Sequence, residues 1–161
     1  MFFPREILPI SVITSEAVNF IISTIIILAF VIFGGLGISK YILFYPIVLV
    51  IQYVLVLGIA FIVSSITVYL RDIQHFIGVL LQLLFYAAPV VYAPNTIPDN
   101  FKWILNLNPM TYIINGYRDI FYNQTMPNIQ GLFIVFGIAV VICGIGYVVF
   151  NKLQKGFAEQ L

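Results

Sequence analysis
The residues that could do covalent chemistry are few and scattered. His75 is the only histidine and Cys143 the only cysteine. A lone histidine one helical turn after Arg71, with no second His, Cys or carboxylate cluster near it, makes a poor metal site. It reads as an interfacial residue. Cys143 lies inside an apolar run and reads as a small filler, and a single cysteine excludes an internal disulfide or a thiolate cluster. No glycine loop shaped to cradle phosphate and no nucleophile–base pair occurs, so no cofactor or metal is expected. The pattern points to moving something rather than transforming it, with energy supplied by a partner.

What remains is non-covalent chemistry, concentrated between Arg71 and Tyr122. At helical spacing Arg71, His75, Gly78, Gln82, Phe85 or Tyr86, and Pro89 fall on one face, opposite Ile77, Leu80, Leu81 and Leu84. A polar-to-aromatic stripe along a spanning helix suits either a lined passage or a seam between helices. Glu16, Asn19 and Ser23 share another face, open to the same choice between packing and substrate contact. After the turn-rich piece from Pro94 to Asn100 and the aromatic anchor Phe101-Lys102-Trp103 comes Leu105 to Tyr112. Its apolar halves are each too short to cross a bilayer and are interrupted by Asn106, Asn108 and Pro109. The spacing predicts two short helices hinged at Asn108-Pro109, dipping into the outer half and returning at Arg118-Asp119, or else an interfacial amphipathic loop.

The elements that must position these groups follow from composition. Charged residues make up 8% of the chain and hydrophobic ones 62%, against roughly 25% charged in a soluble domain. Such a surface cannot be covered with charge, so the bilayer is the expected solvent. A net charge of +1 calls for no nucleic acid. The expected fold is an all-α membrane protein with about four transmembrane helices, at about 11–33, 47–70, 74–92 and 131–150, and a re-entrant hairpin at about 104–117 between the last two. Pro9 suits a first helical turn, and Gly34, Gly35 and Gly37 should end the first span. Phe2 to Pro9 suits a short surface helix or a frayed amphipathic start. Gly137 and Gly144 should mark a smooth packing face on the last span. With both ends cytoplasmic, Arg5, Arg71, Lys152 and Lys155 lie inside, and Lys40, Lys102 and Arg118 outside.

Three motifs then coincide in order: FPREILP (Phe3 to Pro9), YLRDI (Tyr69 to Ile73) and LNPMTYIINGYRDI (Leu105 to Ile120), with the tail from Lys152 to Phe157 in register. Together they resemble the permease subunit of ABC-2 type ABC transporters, in the branch that exports polysaccharides and teichoic acids. The resemblance implies a multi-pass subunit of the bacterial plasma membrane, working as a homodimer with two ATPase subunits on a lipid-linked glycan. It implies that Phe3, Pro4, Arg5, Glu6, Leu8 and Pro9 couple to the ATPase. It implies that Gln82, Phe85, Tyr86, Tyr92 and Tyr112 line the channel or its exit. It makes Arg71, Asp72, Asn108, Pro109, Arg118 and Asp119 structural motif residues. Family members carry an interfacial helix and two spans ahead of the first motif, so this chain would be the C-terminal two-thirds of a permease. A drug or lipid exporter of the same architecture and a non-transporting remnant are the rival readings.

Overall fold
The computed structural model describes residues 5–88 and 94–156, and these are helical wherever they are regular. Helix α1 spans Ile7–Phe33, α2 Tyr45–Tyr69, α3 Ile73–Ala87, α4 Lys102–Leu107, α5 Pro109–Arg118 and α6 Ile129–Leu153. Of these, α1, α2 and α6 are long and apolar enough to cross a membrane. Helix α3 has 15 residues and a length of about 22 Å, short of a bilayer's hydrocarbon core. The expected end of its span, at Tyr92, lies outside the described residues.

Local signals explain the boundaries. Helix α1 runs without a break through Pro9, because a proline in the first turn removes no intrahelical hydrogen bond. The separate surface helix expected at Phe2 to Pro9 is therefore not formed in its described part: Arg5 and Glu6 form a turn and residues 7–9 join α1. Its other end closes on Gly35 at φ 81°, with Leu36 N–H donating to Val31 O at 3.2 Å and Gly35 N–H to Ile32 O at 3.2 Å. That pair of bonds is the Schellman arrangement, which calls for a residue without Cβ at the left-handed position. Helix α2 carries Pro46 in its first turn and ends at Tyr69, and Leu70, at φ −128°, ψ 87°, leads the chain into Arg71-Asp72.

The centre of the molecule is the α2–α6 pair. Val48, Ile51 and Leu55 of α2 interlock with Leu132, Val135 and Ala139 of α6, joined by Ile113 of α5 and by Ile120. Farther along, Phe61 and Phe150 form a second cluster, their rings 5.4 Å apart. Between the clusters the backbones touch. A Cβ on Gly58 would stand 2.6 Å from the Cys143 nitrogen, and one on Gly146 would stand 2.5 Å from the Gly58 oxygen. Small residues let apolar helices approach this closely where no hydrophobic force drives them together. The expected smooth face at Gly137 and Gly144 is not the one that meets α2, since among the described residues nothing outside their own helix turns lies within 4 Å of either Cβ position. The buried stripe runs through Gly131, Val135, Ala139, Gly146 and Phe150, on the opposite side of α6.

Helix α1 lies more loosely, with Thr24 its only buried residue. Hydroxyl pairs tie it to α2: Thr24 Oγ1 with Tyr45 Oη at 2.8 Å, and Thr14 Oγ1 with Tyr53 Oη at 2.9 Å. The two ends of the bundle are distinct. At one, Arg5 and Tyr69 meet the end of α6; at the other, α4, α5 and the α1–α2 connection come together.

Candidate functional site
The hinged pair of helices forms where the spacing expects it. Proline bars the α conformation from the residue before it, and Asn108 sits at φ −85°, ψ 115°. Its buried side chain fixes the bend from both sides. Oδ1 accepts from Met110 N–H at 3.0 Å, capping α5, while Nδ2 donates to Leu84 O near the end of α3 at 3.4 Å. Beyond the hinge α5 wedges between α2 and α6. Ile113 is fully buried, and Gly116 lies against Val48 and Leu132. Tyr117 donates to Gln52 Oε1 at 2.6 Å, with its ring 5.3 Å from that of Phe20 and 5.8 Å from that of Tyr45. Gln52 is seven residues into α2, so the wedge reaches about 10 Å down that helix.

The chain then turns out. Asn123 donates to Asp119 Oδ1 at 2.8 Å, and Thr125 N–H to Asp119 O at 3.0 Å. Gln124, left-handed at φ 52°, hooks its amide onto Leu36 O and Gly37 O at 2.7 and 2.9 Å. At the far lip of the hairpin the Lys102 ammonium pairs with the exposed Asp99 carboxylate at 2.5 Å and holds that carboxyl below its usual range. Phe101 and Trp103 beside it are exposed, as ring anchors at headgroup level would be.

The wedge also makes a pocket that the sequence reading passed over. A cavity of about 370 Å³ is lined by Asn95, Asn106, Asn115, Asn123 and Asn128, together with Thr111, Tyr112, Arg118 and Asp119. Thr111, Asn115 and Arg118 repeat at helical spacing along α5, opposite the buried Ile113. That stripe was the available signal. A second cavity of about 380 Å³ lies between α1 and α2, where Glu16, Asn19 and Ser23 face Gln52 and Tyr53. The polar face read on α1 thus does border a groove within this chain.

The other expected site residues divide. Of the channel-lining set, Gln82, Phe85 and Tyr86 are exposed on α3, the two rings 5.6 Å apart and edge to face. The partly buried Ile73, Ile77 and Ala87 are on the other side of α3 from these three. Tyr112 is elsewhere, half-buried, its ring laid against Gly131. Of the coupling set, Arg5 donates to Gln154 O at 3.2 Å and Glu6 accepts from Tyr147 Oη at 3.5 Å. Leu8 is exposed and Pro9 half-buried. Arg71 and Asp72 are exposed in the turn between α2 and α3. Phe3, Pro4, Pro89 and Tyr92 lie outside the described residues.

Apolar helices long enough to cross a bilayer, bridged by a wedged helical hairpin, define an all-α membrane protein. The profile of the ABC-2 type transporter family matches residues 2–122, and the chain belongs to that family. It is similar to two proteins of Klebsiella pneumoniae named O-antigen export system permease protein RfbA, at 31% identity over 160 residues, 99% of this chain and 61% of each relative. A protein of the same name from Myxococcus xanthus is 32% identical over 161 residues, 99% of this chain and 62% of that one. The chain spans about three fifths of the length of these curated relatives.

Proposed function
We propose that this chain forms part of the permease of an ATP-driven exporter that moves a lipid-linked polysaccharide outward across a bacterial plasma membrane. Likeness along 99% of the chain to O-antigen export permeases supports the cargo class. The observation that carries the mechanism is α5, wedged between α2 and α6 and hinged on Asn108. Such a piece narrows one end of the bundle without crossing it, as a gate at an exit must. Backbone that turns at membrane depth survives only where protein or water satisfies it, and here Asn108 Oδ1 accepts from Met110 N–H and Asp119 O from Thr125 N–H.

On this reading both ends of the chain are cytoplasmic, and the hairpin lies at the outer side. ATP hydrolysis belongs to a separate ATPase subunit, which the Phe3–Pro9 segment contacts. A second permease copy supplies the wall that the open stripe on α3 faces. Gln82, Phe85, Tyr86 and Tyr92 line the passage, with Tyr112 at its exit, where rings can stack on sugar faces.

The test replaces Phe85, Tyr86 and Tyr112 with alanine in the permease, expressed with its ATPase subunit in cells that lack their own exporter. Surface polysaccharide should fall while the complex still assembles. Unchanged export would refute the lining assignment.

A further inference from the structure
We propose that the pocket beside α5 is a recognition site for a neutral sugar unit of the exported glycan. This rests on the export reading and adds to it a specific subsite. The pocket of about 370 Å³ has the size of a small-molecule site. Its walls supply carboxamides from Asn106 and Asn115, a hydroxyl from Thr111, the Tyr112 ring, and the Arg118-Asp119 pair.

Each part suits a pyranose. A sugar hydroxyl both donates and accepts, and so does a carboxamide, through separate atoms held in one plane. An anion would call for excess positive charge, but the lining carries one cationic and one anionic side chain, formally balanced. The aromatic ring offers the flat apolar surface that the C–H face of a sugar needs. The Tyr112 ring is held there by close contact with Gly131, where any Cβ would collide with it.

The independent observation is Thr111. Its side chain lines the pocket and is 96% buried by the 4% exposure of the residue, yet Oγ1 finds no hydrogen-bond partner. Buried hydroxyls are nearly always satisfied, so an orphan at a pocket wall marks where a ligand's polar atom belongs. Thr24, Ser65 and Thr67 bond back to the preceding turn of their own helices. Thr111, the third residue of α5, has no preceding turn of that helix to bond to.

The experiment uses the permease with its ATPase subunit in nanodiscs. The probes are fluorescent oligosaccharides cut from the producing cells' own surface polysaccharide, and glycerol phosphate oligomers as an anionic comparison. The neutral oligosaccharide should bind saturably. Thr111→Val and Asn115→Leu should each weaken it about five- to tenfold, the share of one lost hydrogen bond. Thr111→Val removes an unsatisfied buried group without changing shape, so its melting temperature should hold or rise. That separates loss of a ligand contact from loss of fold. Absence of saturable binding by a wild-type complex that exports overturns the pocket while the export reading stands. Binding unchanged in both pocket variants, or preference for the glycerol phosphate probe, overturns it as well. A wild-type complex that binds but does not export would count against the export reading alone.

Discussion
Tyr117 donates a 2.6 Å hydrogen bond to the side chain of Gln52, joining α5 to α2 across 65 residues of sequence. It ties the hairpin to α2 about two turns along that helix. Removing only the phenol hydroxyl leaves the Gln52 carbonyl without that donor in a partly buried place. Tyr117→Phe should therefore destabilise the protein by about 1–2 kcal/mol. Adding Gln52→Leu replaces both partners with apolar groups and should recover much of the loss. Thermal unfolding of the single and double variants in detergent checks this, and additive losses would contradict it.

The contact between Gly58 and the Cys143 backbone sets the distance between α2 and α6. Gly58→Ala puts a methyl where a backbone nitrogen stands, 2.6 Å away. Backbone on both sides cannot yield as a flexible side chain can, so a loss of about 1–3 kcal/mol is expected, as for overpacked cores. Gly137→Ala and Gly144→Ala meet open space and should be neutral or slightly stabilising. A denaturation series of the three variants decides it. Equal effects at 58 and 137 would rule out the packing face described here.

That contrast shows where the sequence was legible. Apolar runs declared α1, α2 and α6, because in a bilayer hydrophobicity over about 20 residues nearly suffices. Asn108-Pro109 declared the hinge, because proline restricts its neighbour whatever surrounds it. The choice between glycine faces on α6 was not legible: every face of that helix is apolar, so no polar side marks which stripe meets α2. The Asn-lined pocket was hidden for another reason. Its walls come from positions spread over residues 95–128, and only the turn after Arg118 brings them together. The α3 stripe was readable as a stripe because its polar and aromatic residues repeat at helical spacing.

Asn108 serves two elements through one carboxamide, so its variants should separate the two roles. Asn108→Ala loses the cap on Met110 N–H and the bond to Leu84 O and should cost about 1–2 kcal/mol. Asn108→Ser keeps a capping oxygen but is too short to reach α3, so it should recover about half of that. Melting temperatures measure the stability order, Asn above Ser above Ala. If serine matched asparagine, the tie to α3 would have no energetic weight.

At the opposite end, Arg5 and Tyr69 donate to consecutive carbonyls, Gln154 O at 3.2 Å and Leu153 O at 2.8 Å. Carbonyls in the last turn of a helix lack intrahelical donors, and a cation there also meets the negative end of the helix dipole. Both donors thus bind α6 where its own backbone leaves acceptors open, one from the start of α1 and one from the end of α2. A push on the segment around Arg5 would be transmitted directly to α6, which packs along α2 toward the hairpin. On the export reading proposed above, Arg5→Gln in the complex reconstituted with an ATPase subunit should lower export severalfold while ATP hydrolysis falls less. Tyr69→Phe removes only the α2 donor and should cost about 1 kcal/mol of stability with a smaller effect on coupling. Parallel measurement of ATP hydrolysis and of glycan delivered per ATP separates the two variants. Proportional losses of both activities in Arg5→Gln would show that Arg5 supports assembly rather than transmission.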